Sequence, residues 1–275
     1  MNLEKIELQK ENLMPSLEHL SPSTAQSYRT CGKQVYFNKI LGIENPVKYA
    51  MTAYGSAMHK AIERLYKENL SKTEFAMVFS EEWNELAQNV NQWKMDTSGT
   101  LLEQGIIACK DFYDNIYGKY KVKEVEQEFI IERGEGTLPI LCYADAITED
   151  GTIIDYKFGR GLTGMADSNS YMCNMATYAW AYEQVHGNLP DKIVFIKEKW
   201  KRHKDKHTGK MVYEHDSFVI DERPVLRDTV DFYKDVYDNV ETGIQAGVFL
   251  PAPDDSFFCN SCGYRIKGLC NKETK

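Results

Sequence analysis

The spacing of apolar positions divides the chain into helical and extended blocks. In "YGSAMHKAIERLYKEN", Met58, Ile62, Leu65 and Tyr66 recur at helical intervals, which predicts an amphipathic helix. The region 72–120 keeps that period in two halves, "EFAMVFSEEWNELA" and "LLEQGIIACKDFYDNIYGKY", and is expected to be all helical. Upstream, "LSPSTAQSYRTCGKQVYF" offers Ser21 or Ser23 as N-cap and Pro22 in the first turn of an earlier helix. "VKEVEQEFIIE" reads as a strand, and "ILCYADAITEDGTIIDYKFGRG" (140–161) as a hairpin. "DSNSYMCNMATYAWAYEQVHG" returns to helix, with Asp167 or Ser168 as its cap and Gly187 as its stop. "KIVFIKEKW" and "MVYEHDSFVI" then read as strands around a basic loop, followed by a helix over about 223–242 and a cysteine-bearing tail, 257–275. This order predicts an α/β (mixed α+β) fold in one domain, 1–275: a central mixed sheet flanked by helices, with the lobe near 72–120 inserted on it.

Composition narrows the picture. The chain has 275 residues, of which 43% are apolar, enough for a sizeable core. No run approaches the roughly 20 apolar residues of a membrane helix. The start, "MNLEKIELQKENL", is too charged for a secretory signal. A soluble, cytoplasmic protein with no membrane partner is expected. The net charge of −8 argues against a chain that coats nucleic acid non-specifically. It leaves room for a nuclease, because metal ions and local basic patches can carry phosphate contacts. Seven cysteines point to metal ligation or burial rather than to disulfides.

The strand "TIIDYKF" carries Asp155 and Lys157 two positions apart, hence on one face of its sheet. A two-residue turn at Asp150-Gly151 would set Asp145 opposite Tyr156. A three-residue loop, Glu149-Asp150-Gly151, sets Asp145 opposite Asp155 on the same face, and is the preferred register. Two close carboxylates with a lysine beside them describe a site for a hard divalent cation, Mg²⁺ or Mn²⁺. Such an ion readies a water for attack on phosphate, and Lys157 can orient that water or hold developing charge. The other reading is a solvated ion cluster. Glu126, Glu128 and Glu132, on the preceding strand, cannot be ranked as further acids.

Cys259, Cys262 and Cys270 lie in "FFCNSCGYRIKGLC", with Cys31 far upstream. This set suits Zn²⁺ or an iron–sulfur cluster, and spacing does not separate them. The stretch "KEKWKRHKDKHTGK", 197–210, is the densest positive segment; one reading has Lys201 and Arg202 meeting phosphates and Trp200 a base, the other a solvated hairpin tip. Cys142 is expected to be a buried small hydrophobe, and Trp83, Trp93 and Trp180 packing residues.

Asp145 followed by Asp155-Tyr156-Lys157 resembles the D…(D/E)xK core of the PD-(D/E)XK nuclease superfamily, more narrowly its RecB/Cas4-like (AddB-type) exonuclease branch. "SPSTAQSYRTCGKQVYF" is similar to that family's opening helix with its cysteine, though Gly32 stands where a proline is usual. "GSAMHKAIE" is similar to its G-x-x-x-H helix, and Asn174 and Tyr178 fall on its Q-x-x-x-Y pattern, with Asn for Gln. The resemblance implies His59, Asp145, Asp155 and the Tyr156 carbonyl as metal ligands and Lys157 as catalytic. It implies Asn174 and Tyr178 as DNA contacts, and Cys31, Cys259, Cys262 and Cys270 as holders of a [4Fe–4S] cluster. The expected activity is hydrolysis of DNA from ends, single-stranded or with single-stranded termini. The expected setting is recombination, repair, replication or CRISPR adaptation in a bacterial, archaeal or phage-infected cell. A helicase or other partner would be a separate chain, because no G-x-x-x-x-G-K-[ST] motif occurs. The rival expectation is a non-catalytic DNA-binding module with a structural zinc.

Overall fold

The computed structural model describes residues 17–160, 169–206, 208–253 and 256–270. Five strands form one sheet in sequence order: β1 (Val122–Ile131), β2 (Ile140–Thr148), β3 (Ile153–Lys157), β4 (Lys192–Lys204) and β5 (Met211–Pro224). β2 and β3 pair antiparallel, β3 and β4 parallel, and β4 and β5 antiparallel. The parallel pair requires a crossover, which α6 (Asn169–His186) supplies. The remaining helices are α1 (Pro22–Thr30), α2 (Gly32–Val35), which runs into a π-helical turn (Tyr36–Ile40), α3 (Ala50–Glu68), α4 (Lys72–Ala87), α5 (Ser98–Asn115), α7 (Arg227–Gln245), α8 (Phe257–Asn260) and α9 (Gly263–Ile266). The expected mixed sheet flanked by helices is the observed fold.

The chain divides into two compact units, one of residues 1–46, 130–142 and 228–275, the other of residues 47–129 and 143–227. In the second unit, α3, α4 and α5 enclose a core of Tyr54, Met58, Phe75, Phe79, Trp83 and Phe112, into which Ile154 and Tyr156 of β3 project. Alternation along β3 therefore sends Asp155 and Lys157 to the sheet's other face. Trp83 is fully buried and packs edge-on against Tyr54 and Trp93, as the sequence implied. Cys142 is likewise buried.

The first unit holds α1, α2, α7 and the two short tail helices. Ser21 caps α1, its side chain accepting from Thr24 N–H at 3.2 Å with Pro22 inside the first turn. The opening segment is not one helix: Cys31 is extended (φ −164°, ψ 99°), ending α1 and starting α2. A Cβ on Gly32 would stand 3.0 Å from the Leu250 nitrogen and the Phe249 Cα. The residue that departs from the family pattern thus sits where a side chain would press on backbone.

Other boundaries shifted for local reasons. The region 72–120 is two helices, each started by a hydroxyl cap, Ser71 and Thr97. β4 runs on to Lys204, so Lys201 and Arg202 belong to a strand and the basic loop shrinks to its tip. β5 continues to Pro224, which delays the last helix to Arg227. Gly187 ends α6 with φ +81°, its N–H donating to Glu183 at 2.8 Å. The caps expected at Asp167 or Ser168 lie outside the described residues. No described helix is long and apolar enough to cross a membrane.

Candidate active site

The β2–β3 hairpin closes through the three-residue loop. Ala146 faces Ile154 and Ile147 faces Ile153, with Gly151 at φ +82°. This register sets Asp145 level with Asp155, and the Asp145 side chain accepts a hydrogen bond from Tyr156 N–H at 2.7 Å. A carboxylate anchored to the neighbouring strand's backbone cannot swing away from its partner acid.

Asp155 is fully buried, and Lys157 forms an ion pair with its Oδ2. Burial pushes the Asp155 carboxyl above its ordinary range, with Lys157 opposing and Asp145 adding to the rise. Burial would lower the Lys157 ammonium, but Asp155 and Asp145 outweigh it and hold it above its usual value. The lysine also lies 5.7 Å from the ring centroid of Tyr171, which stacks on Phe195. Oδ1 of Asp155 is buried and accepts no hydrogen bond among the described residues. Leaving a buried carboxylate oxygen without a donor costs about 1–3 kcal/mol or more, so that atom suits a cation.

α3 brings in the histidine. His59 lies one helical turn beyond Gly55, where the helix passes Phe158 closely enough that a Cβ on Gly55 would be 3.7 Å from its carbonyl oxygen. His59 Nδ1 is 3.5 Å from Asp145 Oδ1, and its ring meets Phe158 edge-on at 5.3 Å. The residue the sequence could not rank is Glu126. Donor atoms of His59, Glu126 and Asp145 all lie within 4.8 Å of one another. Glu126 takes φ +48° inside β1, a left-handed conformation rarely adopted by a side-chain-bearing residue. That twist interrupts the strand's alternation and re-aims the acid. Burial, then Asp145, push its carboxyl up to about 7, against the pull of His59. Glu128 is exposed and instead accepts from the Tyr143 hydroxyl at 2.6 Å. His59, Glu126 and Asp145 offer one imidazole and two carboxylates, a donor set of the hard, N/O type that divalent Mg²⁺ or Mn²⁺ takes, while Asp155, expected as a further ligand, is not among the gathered donor atoms.

On α6, Tyr171, Asn174 and Tyr178 follow the i, i+3, i+7 spacing of one helix face. Tyr171 and Tyr178 are both buried and Asn174 is half-buried, and Tyr171 is the member that approaches Lys157. Lys201 and Arg202, being consecutive in β4, occupy opposite faces of the β4–β5 ribbon. Lys201 pairs with Glu214 at 3.6 Å, whereas Arg202 lies over the Tyr213 ring at 5.7 Å. Behind Tyr213, the Arg160 guanidinium lies 4.4 Å from that ring and 5.0 Å from Trp200, and is ion-paired to Asp96. Trp200 is therefore partly occupied by an internal cation.

In the other unit, Cys31 and Cys259 are buried in one small cluster with Ala252. Cys262 and Cys270 are half-buried on the adjoining turns, and the Cys270 N–H donates to the Tyr264 carbonyl at 3.2 Å. The tail's Tyr264 hydroxyl donates to the Ile43 carbonyl at 2.9 Å. The four cysteines share one unit and are of the residue type that holds a thiolate-bound metal group, but among the described residues no three of their sulfurs lie within 4.8 Å of one another.

A mixed sheet that presents two acids and a lysine beside a helix-borne histidine is the layout of a nuclease that uses divalent metal. The chain belongs to the PD-(D/E)XK nuclease superfamily, whose sequence profile matches residues 19–270. Its fold is similar to the crystal structure of a candidate exonuclease from Eubacterium rectale, at 13% identity and TM-score 0.55, covering 95% of this chain and 92% of that one. An alkaline exonuclease from Laribacter hongkongensis is a more distant likeness, at 11% identity and TM-score 0.34 over 74% of this chain and 90% of that one. Among curated proteins none matches the chain.

Proposed function

We propose that the protein is a metal-dependent deoxyribonuclease of the RecB/Cas4-like kind that hydrolyses DNA from an end. The observation that supports this most is the gathering of His59, Glu126 and Asp145 beside the buried Asp155–Lys157 pair. His59, Asp145, Asp155 and the Tyr156 carbonyl would hold Mg²⁺ or Mn²⁺, with Glu126 joining them. Such an ion would supply an activated water and neutralise charge on the phosphate. Lys157 orients the attacking water and stabilises negative charge as it develops on the phosphoryl oxygens. Asp145, tied to Tyr156 N–H, keeps the two strands in register while that charge moves.

The strand of DNA is taken to run past the Tyr171–Asn174–Tyr178 face of α6, with Arg202 neutralising a phosphate and Lys201 contributing less. Cys31, Cys259, Cys262 and Cys270 hold a [4Fe–4S] cluster in preference to Zn²⁺. Their role is structural, tying distant parts of the chain together. The whole is one nuclease domain with the 72–120 lobe inserted, working with a helicase or recombination partner on a separate chain. The decisive experiment is digestion of end-labelled single- and double-stranded DNA with and without Mn²⁺. Wild-type protein should degrade the DNA only with metal, and Lys157→Ala should not. Equal activity in that variant overturns the assignment. Anaerobically purified protein should be brown and contain about four irons, a stoichiometry set by the cluster.

A further inference from the structure

A second acid–histidine constellation lies in the same unit, and the reading above does not use it. Glu198 of β4 is buried, and its carboxylate is fully engaged. Oε1 accepts from the Tyr54 hydroxyl of α3 at 2.8 Å and lies 3.0 Å from His215 Nδ1 of β5. Oε2 accepts from Gly159 N–H at 3.1 Å. His215 is held on its other side by Asp111 of α5, with Nε2 2.9 Å from Oδ2, and its backbone N–H donates to Gln104 at 2.8 Å. The network around this one carboxylate therefore joins two helices, two strands and the segment leaving β3.

The network is built by a bulge. Glu198 faces Phe218 and Lys199 faces Ser217, but Trp200 faces His215, leaving Asp216 as an extra residue. Regular pairing would put Asp216 opposite Trp200 and aim an acid at Glu198. The bulge moves Asp216 outward, where it pairs with Lys199 at 2.8 Å, and turns His215 inward. Re-aiming a side chain is a recognised use of such bulges. The other anchor is Gly159, at φ +124°, a conformation open to glycine and strained for any other residue. It aims the peptide N–H inward at the carboxylate.

Gly159 is two residues beyond Lys157 and adjoins Phe158, whose ring packs edge-on against His59. Tyr54 precedes His59 on α3. The network thus touches both supports of the candidate active site, the exit of β3 and the helix carrying the histidine. We propose that Glu198, oriented by His215 and Tyr54, is a positioning residue for this nuclease, fixing Gly159 N–H and through it the placement of Lys157 and His59.

The catalytic part of this inference rests on the nuclease reading; the structural part does not, so the test has two arms. Glu198→Met keeps the buried volume and removes the acceptor, while Glu198→Gln keeps an oxygen for Gly159 N–H. For DNA hydrolysis, Glu198→Met should lower kcat by about tenfold or more, because an ångström-scale misplacement of a catalytic group costs that much. KM for DNA should stay within about twofold, since the substrate contacts are elsewhere, as uniform binding would require. Glu198→Gln should recover most of the loss. Wild-type kcat in folded Glu198→Met, or equal damage in the two variants, overturns the proposal. Independently of activity and of whether Glu198→Met folds, the Gly159 amide in wild-type protein should exchange on the order of a hundredfold more slowly than an unprotected amide. Unprotected exchange there overturns the proposal by itself. Absence of nuclease activity in wild-type protein, with Gly159 protected, overturns the functional reading and the catalytic arm together, leaving Glu198 a structural anchor.

Discussion

Two histidine–carboxylate groups sit in one unit of this protein and differ in how far their polar atoms are satisfied. At the β2–β3 corner, His59 is 31% exposed at its side chain and stands 3.5 Å from Asp145, a loose contact. Among the described residues Asp155 Oδ1 has no donor, and burial, then Asp145, push the Glu126 carboxyl up. In the Glu198 network, the His215 side chain is 2% exposed and both ring nitrogens lie within 3.0 Å of a carboxylate oxygen. The same residue types make an open set of ligands in one place and a closed truss in the other. What separates them is donor count. Glu198 has Tyr54, His215 and Gly159 N–H around it, whereas the cluster of Glu126, Asp145 and Asp155 holds more negative charge than Lys157 and His59 can neutralise.

The largest expected effect tests the open set. Asp155→Asn should lower DNA hydrolysis on the order of a hundredfold to a thousandfold, the range seen when a group aimed at developing charge is removed. Calorimetric titration of the variant with Mn²⁺ should show the accompanying loss of affinity. Breaking the closed network should act on stability instead. His215→Ala should cost about 3–5 kcal/mol in urea unfolding, as expected when one partner of a buried ion pair is removed.

The pH dependence sharpens the same contrast. Burial would lower the His215 imidazolium, but the hydrogen bonds it donates to Glu198 and Asp111 outweigh it and hold it above its ordinary value. A raised value in the folded state means that the stabilisation is full below about pH 6.5, the unfolded value. It is lost as pH climbs through the folded one. Chemical denaturation from pH 6 to 9 should show this decline in wild type and a flatter profile in His215→Gln.

A smaller effect is expected at the open corner. Glu126→Gln removes a charge repelled by Asp145, so melting temperature without metal should hold or rise while Mn²⁺ affinity falls by about tenfold, roughly 1.4 kcal/mol. The smallest lies on the ribbon. Arg202→Ala should weaken DNA binding and reduce the salt slope by about one counterion. Lys201→Ala should do less, because Glu214 already neutralises that lysine.

Much of the open corner was legible in the chain. The spacing of Asp155 and Lys157 declared a shared face, the turn chemistry of "EDG" favoured the register that brings Asp145 level with Asp155, and "GSAMH" marked the histidine helix. Glu126 was visible as one of three acids and could not be chosen, because its selection depends on a backbone twist with no glycine to announce it. The overrun of β4 was hidden for a related reason. Its outer half is polar on both faces, so no apolar alternation marks it, and only cross-strand pairing shows Lys201 and Arg202 pointing apart.

Local rules therefore determined which elements form and which residues of a strand or helix share a side, since these follow from periods of 2 and 3.6 along the backbone. Tertiary structure alone decided how many donors each buried acid would find. That number depends on residues as distant as Tyr54, Gly159, Glu198 and His215 converging on one point. The bulge that selects His215 over Asp216 exists only because two strands are paired. A chain read one residue at a time carries no record of that choice, because its energy arises from desolvating charges together.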